Sequence, residues 1–245
     1  YKLFNEAALE MKAIDKNHPV ALCNGDLLFL DIIAKECKDV DIFGTNVYRG
    51  VSFGDLFERV KKEYGKPVLF TEFGSDAFNA KTNEEDGNAQ AFYLKGNWKE
   101  IYENAQGLGK SGNCLGGYTF QFSDGWWKYG QTKNLEVHDS NASWSNGGYQ
   151  FDFEEGKNNM NEEWFGICAK GPTNAKGFYQ LYPRTSYYML KEVHQLNPYA
   201  SGMNLLEIEA HFKKTSIADA GLRARGDKAA LGGNDTQILK ISNLR

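Results

Sequence analysis

Residues 66–74 read Lys-Pro-Val-Leu-Phe-Thr-Glu-Phe-Gly, and this stretch decides the predicted fold. Lys66-Pro67 ends a helical pattern, and the apolar run Val68-Leu69-Phe70 follows it directly. Unbroken apolar runs of this length are typical of a parallel strand that is covered on both faces. Glu72 comes just after the run and therefore lies at the carboxyl end of the predicted strand. Parallel sheets of α/β proteins carry their ligand sites at that end.

The same alternation of helix and strand extends from residue 1 to about residue 198. Strand patterns lie at 20–23, 40–48, 68–71 and 115–122, and helical stripes lie at 2–16, 27–38, 88–106 and 184–196. A further helix begins at Ser52, with Asp55 at the spacing of a capping box. Four strands that alternate with five helices predict a parallel α/β sheet.

Loop lengths distinguish between the two common parallel architectures. The helix-to-strand turns are short, whereas the strand-to-helix loops grow along the chain, up to the stretch from Ser123 to Pro183. Elaboration at the carboxyl ends of the strands favours a (β/α)8 TIM barrel. The first predicted strand is followed by Asn24-Gly25-Asp26 rather than by the Gly-rich turn that a doubly wound sheet usually carries, and the sequence contains no P-loop motif.

Four strands are half of such a barrel, so we interpret residues 1–198 as its C-terminal half, strands 5–8. An isolated half would leave two sheet edges bare. We therefore expect the N-terminal half in the same full-length protein or in another chain. Residues 199–245 are polar, Gly-rich and free of Pro. They predict a linker and the start of a β-rich segment, with strands at 205–208 and 237–241.

Composition excludes several classes of partner. The 245 residues carry a net charge of -4, which argues against nucleic acid, because binding a phosphate backbone needs a basic face. The apolar run at 27–30 is far shorter than the roughly 20 residues of a membrane span. Aromatic residues make up 14% and suit sugars, whose C–H faces stack on rings. The four cysteines have no CxxC spacing, so we expect no zinc site, and both two disulfides and four thiols remain open.

Polar and aromatic side chains lie near Glu72 in the predicted barrel. Asn46 and Tyr48 are two residues apart in the second strand, so their side chains point to the same side. Trp126 and Trp127 follow the fourth strand. A carboxylate that must stay ionised needs donors such as a phenol or an amide beside it. These residues therefore predict a site in which Glu72 is held by Tyr48 and Asn46.

Other polar residues have two interpretations each. Asn24 and Asp26 end the first strand, where they either bind sugar hydroxyls or form a turn and cap the next helix. Asp124 either binds a hydroxyl or shapes the turn that contains it. Trp144, in the long last loop, is a candidate for an outer sugar subsite. Glu163 is interpreted as structural.

Residues 66–74, the Asn46-Val47-Tyr48 strand end and the Trp pair together resemble clan A glycoside hydrolases. These are (β/α)8 enzymes that include glycoside hydrolase family 2, and residues 41–50 also resemble the β-1,3-glucanosyltransferase-like members. The resemblance implies a retaining reaction on a β-linked glycan without a cofactor. It implies that Glu72 is the nucleophile, that Tyr48 donates to it, and that Trp126 or Trp127 forms the floor under the scissile sugar.

The sequence departs from this family at the general acid/base. The clan has that residue in an Asn-Glu pair at the end of strand four, and no such strand is present here. Asn5-Glu6 lies inside the first helical stripe, so we interpret it as a coincidence and expect the acid/base upstream of Tyr1. Retaining hydrolysis needs two carboxyl groups about 5–5.5 Å apart. A non-catalytic carbohydrate-binding barrel, or a half-barrel that assembles with a partner or a second copy, is the alternative.

Overall fold

The structure is a computed structural model that describes residues 1–125 and 138–230. Its first half contains α1 (Lys2–Ile14), β1 (Ala21–Gly25), α2 (Leu30–Glu36), β2 (Ile42–Val47), α3 (Leu56–Glu63), β3 (Val68–Phe73), β4 (Phe78–Asn79), β5 (Glu84–Glu85) and α4 (Gly87–Glu103). Its second half contains β6 (Cys114–Thr119), β7 (Cys168–Thr173), β8 (Tyr179–Pro183), α5 (Thr185–Val193), α6 (Leu205–Lys214) and α7 (Ile217–Ala230).

The four long strands form one parallel sheet in the order β1-β2-β3-β6. Because they run in the same direction, their carboxyl ends lie together at one edge, which is called the mouth below. Gly25, Asn46 and Glu72 are neighbours in the ladder at this edge. The predicted parallel α/β class is confirmed, while closure of the sheet into a (β/α)8 barrel stays a prediction.

The main core lies between this sheet and its helices. Phe43, Val68 and Phe70 are fully buried, as the apolar runs predict. The ring of Phe53 stacks on Phe70 with centroids 4.0 Å apart, and Phe57 meets Phe70 edge-on. Burying a phenylalanine side chain stabilises the fold by about 1.5–3 kcal/mol. The core therefore fixes β3 in place and, with it, the residues at the end of β3.

The helix after β2 begins without the predicted capping box. The residue before α3, Asp55, makes no side-chain cap hydrogen bond. Ser52 instead donates to Oε1 of Glu100 in α4, 2.6 Å away, and accepts from the backbone N–H of Gly54. The helix is present but begins at Leu56, four residues after the predicted start at Ser52, and the serine makes a contact between distant parts of the chain instead.

The strand predicted at 205–208 is wrong, because these residues begin α6. Leu205, Ile208 and Phe212 have the spacing of a helical stripe, and the short apolar run at its start was mistaken for a strand. Asn204 caps the helix by accepting from the backbone N–H of Leu206 and Glu207.

The helices α6 and α7 replace the predicted linker and β-rich start over the described residues. Ile208, Phe212 and Ala220 are buried in the same core as the sheet. Residues 205–220 therefore belong to the α/β unit. The strand predicted at 237–241 lies outside the described residues.

Two antiparallel hairpins were not predicted. β4 pairs with β5 in the loop after β3, and β7 pairs with β8 in the long loop after β6.

The disulfide alternative is excluded, because all four cysteines are free thiols: Cys23, Cys37, Cys114 and Cys168. Across residues 1–125 and 138–230, no helix has the length and apolar character needed to cross a membrane.

Candidate active site

Glu72 and Tyr48 meet at the mouth. Tyr48 is the first residue after β2, and its hydroxyl donates to Oε2 of Glu72 over 3.0 Å. Glu72 is partly exposed, so a ligand at the mouth can reach its carboxylate. A neutral phenol, rather than a guanidinium, holds this carboxylate. The arrangement leaves Glu72 available as a nucleophile.

The surroundings of Tyr48 keep its hydroxyl protonated. Burial raises the pKa of Tyr48 far above its ordinary value, and the negative charges of Glu72 and Glu162 raise it further. The ring packs edge-on against Trp144, at a centroid distance of 6.1 Å, and against Phe165, at 5.7 Å. Tyr48 is therefore a hydrogen-bond donor to Glu72 throughout the neutral pH range.

The side chain of Asn46 is oriented by two neighbours that the sequence did not single out. Its Oδ1 accepts from the hydroxyl of Thr71, 2.6 Å away, and from the thiol of Cys23, 3.4 Å away. The oxygen end of the amide is thus used inside the sheet. The NH₂ end is what Asn46 can offer to a ligand. One sequence feature could have indicated these contacts: Cys23 and Thr71 both lie near the carboxyl ends of β1 and β3, the strands on either side of β2.

Asn24 and Asp26 shape the turn after β1. The amide of Asn24 donates to the carbonyl of Leu28 over 2.9 Å. Both carboxylate oxygens of Asp26 accept from Arg49, over 2.8 and 2.5 Å. These contacts match the turn interpretation of the two residues, but the predicted cap is wrong, because α2 follows Phe29 and has no side-chain cap hydrogen bond. Their predicted binding of sugar hydroxyls stays a prediction.

Asp124, predicted either to bind a sugar hydroxyl or to shape its turn, has no exposed surface. Its carboxylate accepts from the guanidinium of Arg184, over 2.6 and 2.9 Å, and contacts Nε2 of His138 at 2.6 Å. Burial works to raise the pKa of Asp124, but the charges and hydrogen bonds of Arg184 and His138 lower it overall. The predicted contact with a sugar hydroxyl is therefore wrong, and Asp124 anchors the start of α5 to the loop before it.

An aromatic residue that the sequence did not single out, Phe120, follows β6 at the mouth. Trp126 and Trp127 lie outside the described residues. Phe120 directly follows β6, and its backbone N–H donates to the carbonyl of Phe73 over 2.7 Å. β6 ends at residue 119 rather than at 122, so Phe120 lies at the mouth instead of inside the strand. This shift of three residues is why the sequence did not identify Phe120.

The Asn5-Glu6 pair lies away from the mouth. It belongs to α1, as predicted. The amide of Asn5 donates to Asp39, 2.8 Å away, in the turn that leads into β2. Tyr48 follows the opposite end of that strand. The pair therefore does not supply a second carboxyl group beside Glu72.

Glu163 is buried under the long last loop. Its Oε2 accepts from the backbone N–H of Asp139 over 2.8 Å, and Oε1 has no hydrogen-bond partner in the described part of the chain. Burial raises the pKa of Glu163 to about 7, with the charges of Asp139 and Asp124 adding to the rise.

No group of three or more metal-ligating side chains is arranged to hold a metal ion within the described ranges.

Comparison with known proteins gives distant structural likenesses. The chain resembles PfGH50B, with 12% identity over 89% of this chain and 23% of that chain and a TM-score of 0.46. It resembles a β-glucuronidase of Bacteroides uniformis, with 14% identity over 78% of this chain and 19% of that chain and a TM-score of 0.44. It also resembles a β-glucuronidase from an uncultured Clostridium species, with 16% identity over 86% and 35% and a TM-score of 0.34.

This chain thus spans about a fifth of the length of the first two of these proteins, 23% and 19%. No protein-family model and no curated protein sequence matches it.

Proposed function

We propose that this protein is a retaining glycoside hydrolase or transglycosylase that acts on a β-linked glycan. The observation that carries the proposal is the 3.0 Å hydrogen bond from the Tyr48 hydroxyl to Oε2 of Glu72. A partly exposed carboxylate at the carboxyl end of a parallel strand, held by a protonated phenol, has the charge, the access and the restraint that a glycosyl nucleophile needs.

The proposed reaction has two steps. Glu72 attacks the anomeric carbon, and the bond to the leaving oxygen breaks as that oxygen takes a proton from a second carboxyl group. Water or a sugar hydroxyl then attacks the anomeric carbon, returns its proton to the second carboxylate and displaces Glu72 as a carboxylate. Tyr48 restrains the carboxylate before the attack, and the NH₂ group of Asn46 donates to a hydroxyl of the bound sugar. Phe120 and the predicted Trp126 or Trp127 supply rings on which that sugar stacks.

The second carboxyl group belongs, in this proposal, to the N-terminal half of a (β/α)8 barrel. That half is provided by the same full-length protein or by another chain. β1 and β6 are the two outer strands of the described sheet, and apolar side chains are exposed beside both. These are Leu3 and Ile14 on α1 and Leu115 and Tyr118 on β6. A second half would cover them and complete the mouth around Glu72.

The experiment is covalent trapping in the full-length protein with 2-deoxy-2-fluoro-β-glycosides that carry a dinitrophenolate leaving group. This leaving group needs no proton, so labelling reports on Glu72 independently of the acid/base. A panel covering glucosyl, galactosyl, mannosyl and glucuronyl donors allows for the unknown sugar. We expect one adduct, on Glu72, and none in the E72Q variant. Sugar binding without any adduct contradicts the proposal and identifies a non-catalytic carbohydrate-binding protein.

A further inference from the structure

Residues 144–149, called the strap below, lie across the mouth ends of β2 and β3. The strap touches the backbone that follows Tyr48. A Cβ atom on Gly50, whose φ is +85°, would lie 2.0 Å from the carbonyl oxygen of Gly148. A Cβ atom on Gly148 would lie 2.5 Å from the carbonyl oxygen of Arg49. Only glycine permits this close approach of two backbones.

The strap holds the end of β2 through Asn146. The amide NH₂ of Asn146 donates to the carbonyl oxygen of Tyr48 over 2.8 Å, and its Oδ1 accepts from the N–H of Gly148 over 2.9 Å. The backbone of Asn146 exchanges two hydrogen bonds with the side chain of Asn159, of 2.7 and 3.1 Å. With both ends of its amide and its backbone engaged, Asn146 has one available orientation.

The strap holds the end of β3 through Tyr149. The hydroxyl of Tyr149 donates to the carbonyl oxygen of Gly74 over 2.6 Å, two residues beyond Glu72. Tyr149 is buried, and its ring packs on Tyr93 with centroids 4.9 Å apart. Burial raises the pKa of Tyr149 far above its ordinary value. The phenol therefore stays protonated and continues to donate to Gly74.

We propose that Asn146 and Tyr149 are positioning residues that clamp the backbone ends of β2 and β3 and so keep the Tyr48 hydroxyl on Glu72. Their hydrogen bonds go to the carbonyl groups of Tyr48 and Gly74 rather than to either reacting side chain. Trp144, from the same strap, supports the ring of Tyr48 edge-on. The expectation that losing this clamp slows catalysis rests on the proposed function. The expectation that losing it displaces the Tyr48 hydroxyl from Glu72 does not depend on that function.

The test compares Y149F and N146D with the matched control Y93F. The Tyr93 hydroxyl accepts from the backbone N–H of Phe151 over 3.1 Å, so Y93F also removes a phenol oxygen from this cluster but leaves both strand ends untouched. The first readout is the ¹³C NMR signal of the Cζ atom of Tyr48 in protein labelled with [ζ-¹³C]tyrosine, assigned with Y48F. The second is the rate at which the fluoroglycoside labels Glu72.

We expect the Tyr48 signal in Y149F and N146D to move toward its position in E72Q, where the charged acceptor is absent. Misplacement of a reacting group by about 1 Å costs roughly 100-fold in rate, so we expect labelling to fall by about 10- to 100-fold. Y93F is expected to label within about twofold of the wild type, because it leaves the attacking group in place.

Each outcome decides the proposal. An unchanged Tyr48 signal in Y149F and N146D overturns it, whether or not any adduct forms. An equal change of that signal in Y93F also overturns it, because loss of any nearby hydroxyl would then have the same effect. If the Tyr48 signal changes in Y149F and N146D but not in Y93F, while the fluoroglycosides never label wild-type Glu72, the clamp is supported and the proposed function fails. Because the two variants act on different strand ends, either one decides the proposal if the other does not fold.

Discussion

Asn46 lies directly opposite Glu72 in the β2–β3 ladder, although the residue before it, Thr45, lies opposite Phe70. The register therefore skips Thr71, which is an extra residue in β3. Bulges of this kind re-aim side chains and are common beside active sites. Here the bulge lets two consecutive residues of β3 reach the same neighbouring strand. The hydroxyl of Thr71 donates to Asn46, and the carboxylate of Glu72 accepts from the hydroxyl of Tyr48, two residues after Asn46.

The Y48F variant tests the donor to Glu72. Hydrogen bonds to charged groups contribute about 1.5–3 kcal/mol, so we expect covalent labelling of Glu72 to slow by about 10- to 100-fold. Intact-protein mass spectrometry over a time course measures the rate. Y199F, which changes an exposed tyrosine, is the control and should label like the wild type. Equal rates in Y48F and the wild type would show that the phenol has no part in the reaction.

Thr71 offers a pair of variants that separates its hydroxyl from its shape. T71V keeps the volume but removes the hydroxyl donor to Asn46, which leaves only the longer contact from the thiol of Cys23 to orient the amide. We expect T71V to weaken sugar binding by about 2- to 10-fold, the value of one neutral hydrogen bond, and T71S to retain most of it. Isothermal titration with the sugar that gives the fastest labelling measures both. Similar weakening in T71V and T71S would contradict this role of the hydroxyl.

Glu163 predicts a pH dependence of stability. Its pKa is raised to about 7 in the folded chain from 4.5, so the folded state holds the proton more tightly than the unfolded state does. Stability is therefore greatest below pH 4.5 for this group and declines as the pH rises through 7. A shift of this size corresponds to about 3 kcal/mol. Urea unfolding from pH 5 to 8 measures the decline.

The E163Q variant isolates this contribution from the other buried carboxyl groups. Glutamine is neutral at every pH, so E163Q is expected to be more stable than the wild type at pH 8. The difference between the two proteins should shrink as the pH falls toward 5. Parallel stability curves over this range would mean that Glu163 does not titrate there.

The D124N variant tests the structural role assigned to Asp124. Removing one charge from a buried ion pair leaves Arg184 without its main partner and costs about 3–5 kcal/mol. We expect a drop of that order in the free energy of unfolding, measured in urea. E155Q, at an exposed position, should change stability by less than about 0.5 kcal/mol. A stable D124N protein that binds sugar poorly would instead return Asp124 to the binding site.

The sequence predicts the parts of this site that depend on strand order. Apolar runs located the parallel strands, and alternation placed Asn46 and Tyr48 on the side of Glu72. The burial of Asp124 could not be predicted, because its partner Arg184 lies 60 residues away in the chain. The bulge at Thr71 has no local signal either, since it arises from pairing between two strands.

Short sequence patterns led to the errors in the type and the ends of the predicted elements. A four-residue segment with three apolar residues, such as Leu205, Leu206 and Ile208, is compatible with a strand or with the first turn of a helix, and here the helix formed. The end of β6 was placed three residues too late, which hid Phe120. The strap was not identified, because its contacts with Tyr48 and Gly74 join segments about 75 to 98 residues apart in sequence.

Whether Glu72 forms a covalent bond to a sugar is the most direct test. After incubation of the full-length protein with the fluoroglycoside panel, tandem mass spectrometry of the peptide that contains residues 68–74 gives the answer. We expect one fluoroglycosyl group on Glu72 and an unmodified peptide in E72Q. An adduct on another carboxylate, or an unmodified Glu72 in a protein that cleaves glycosides, would contradict the assignment.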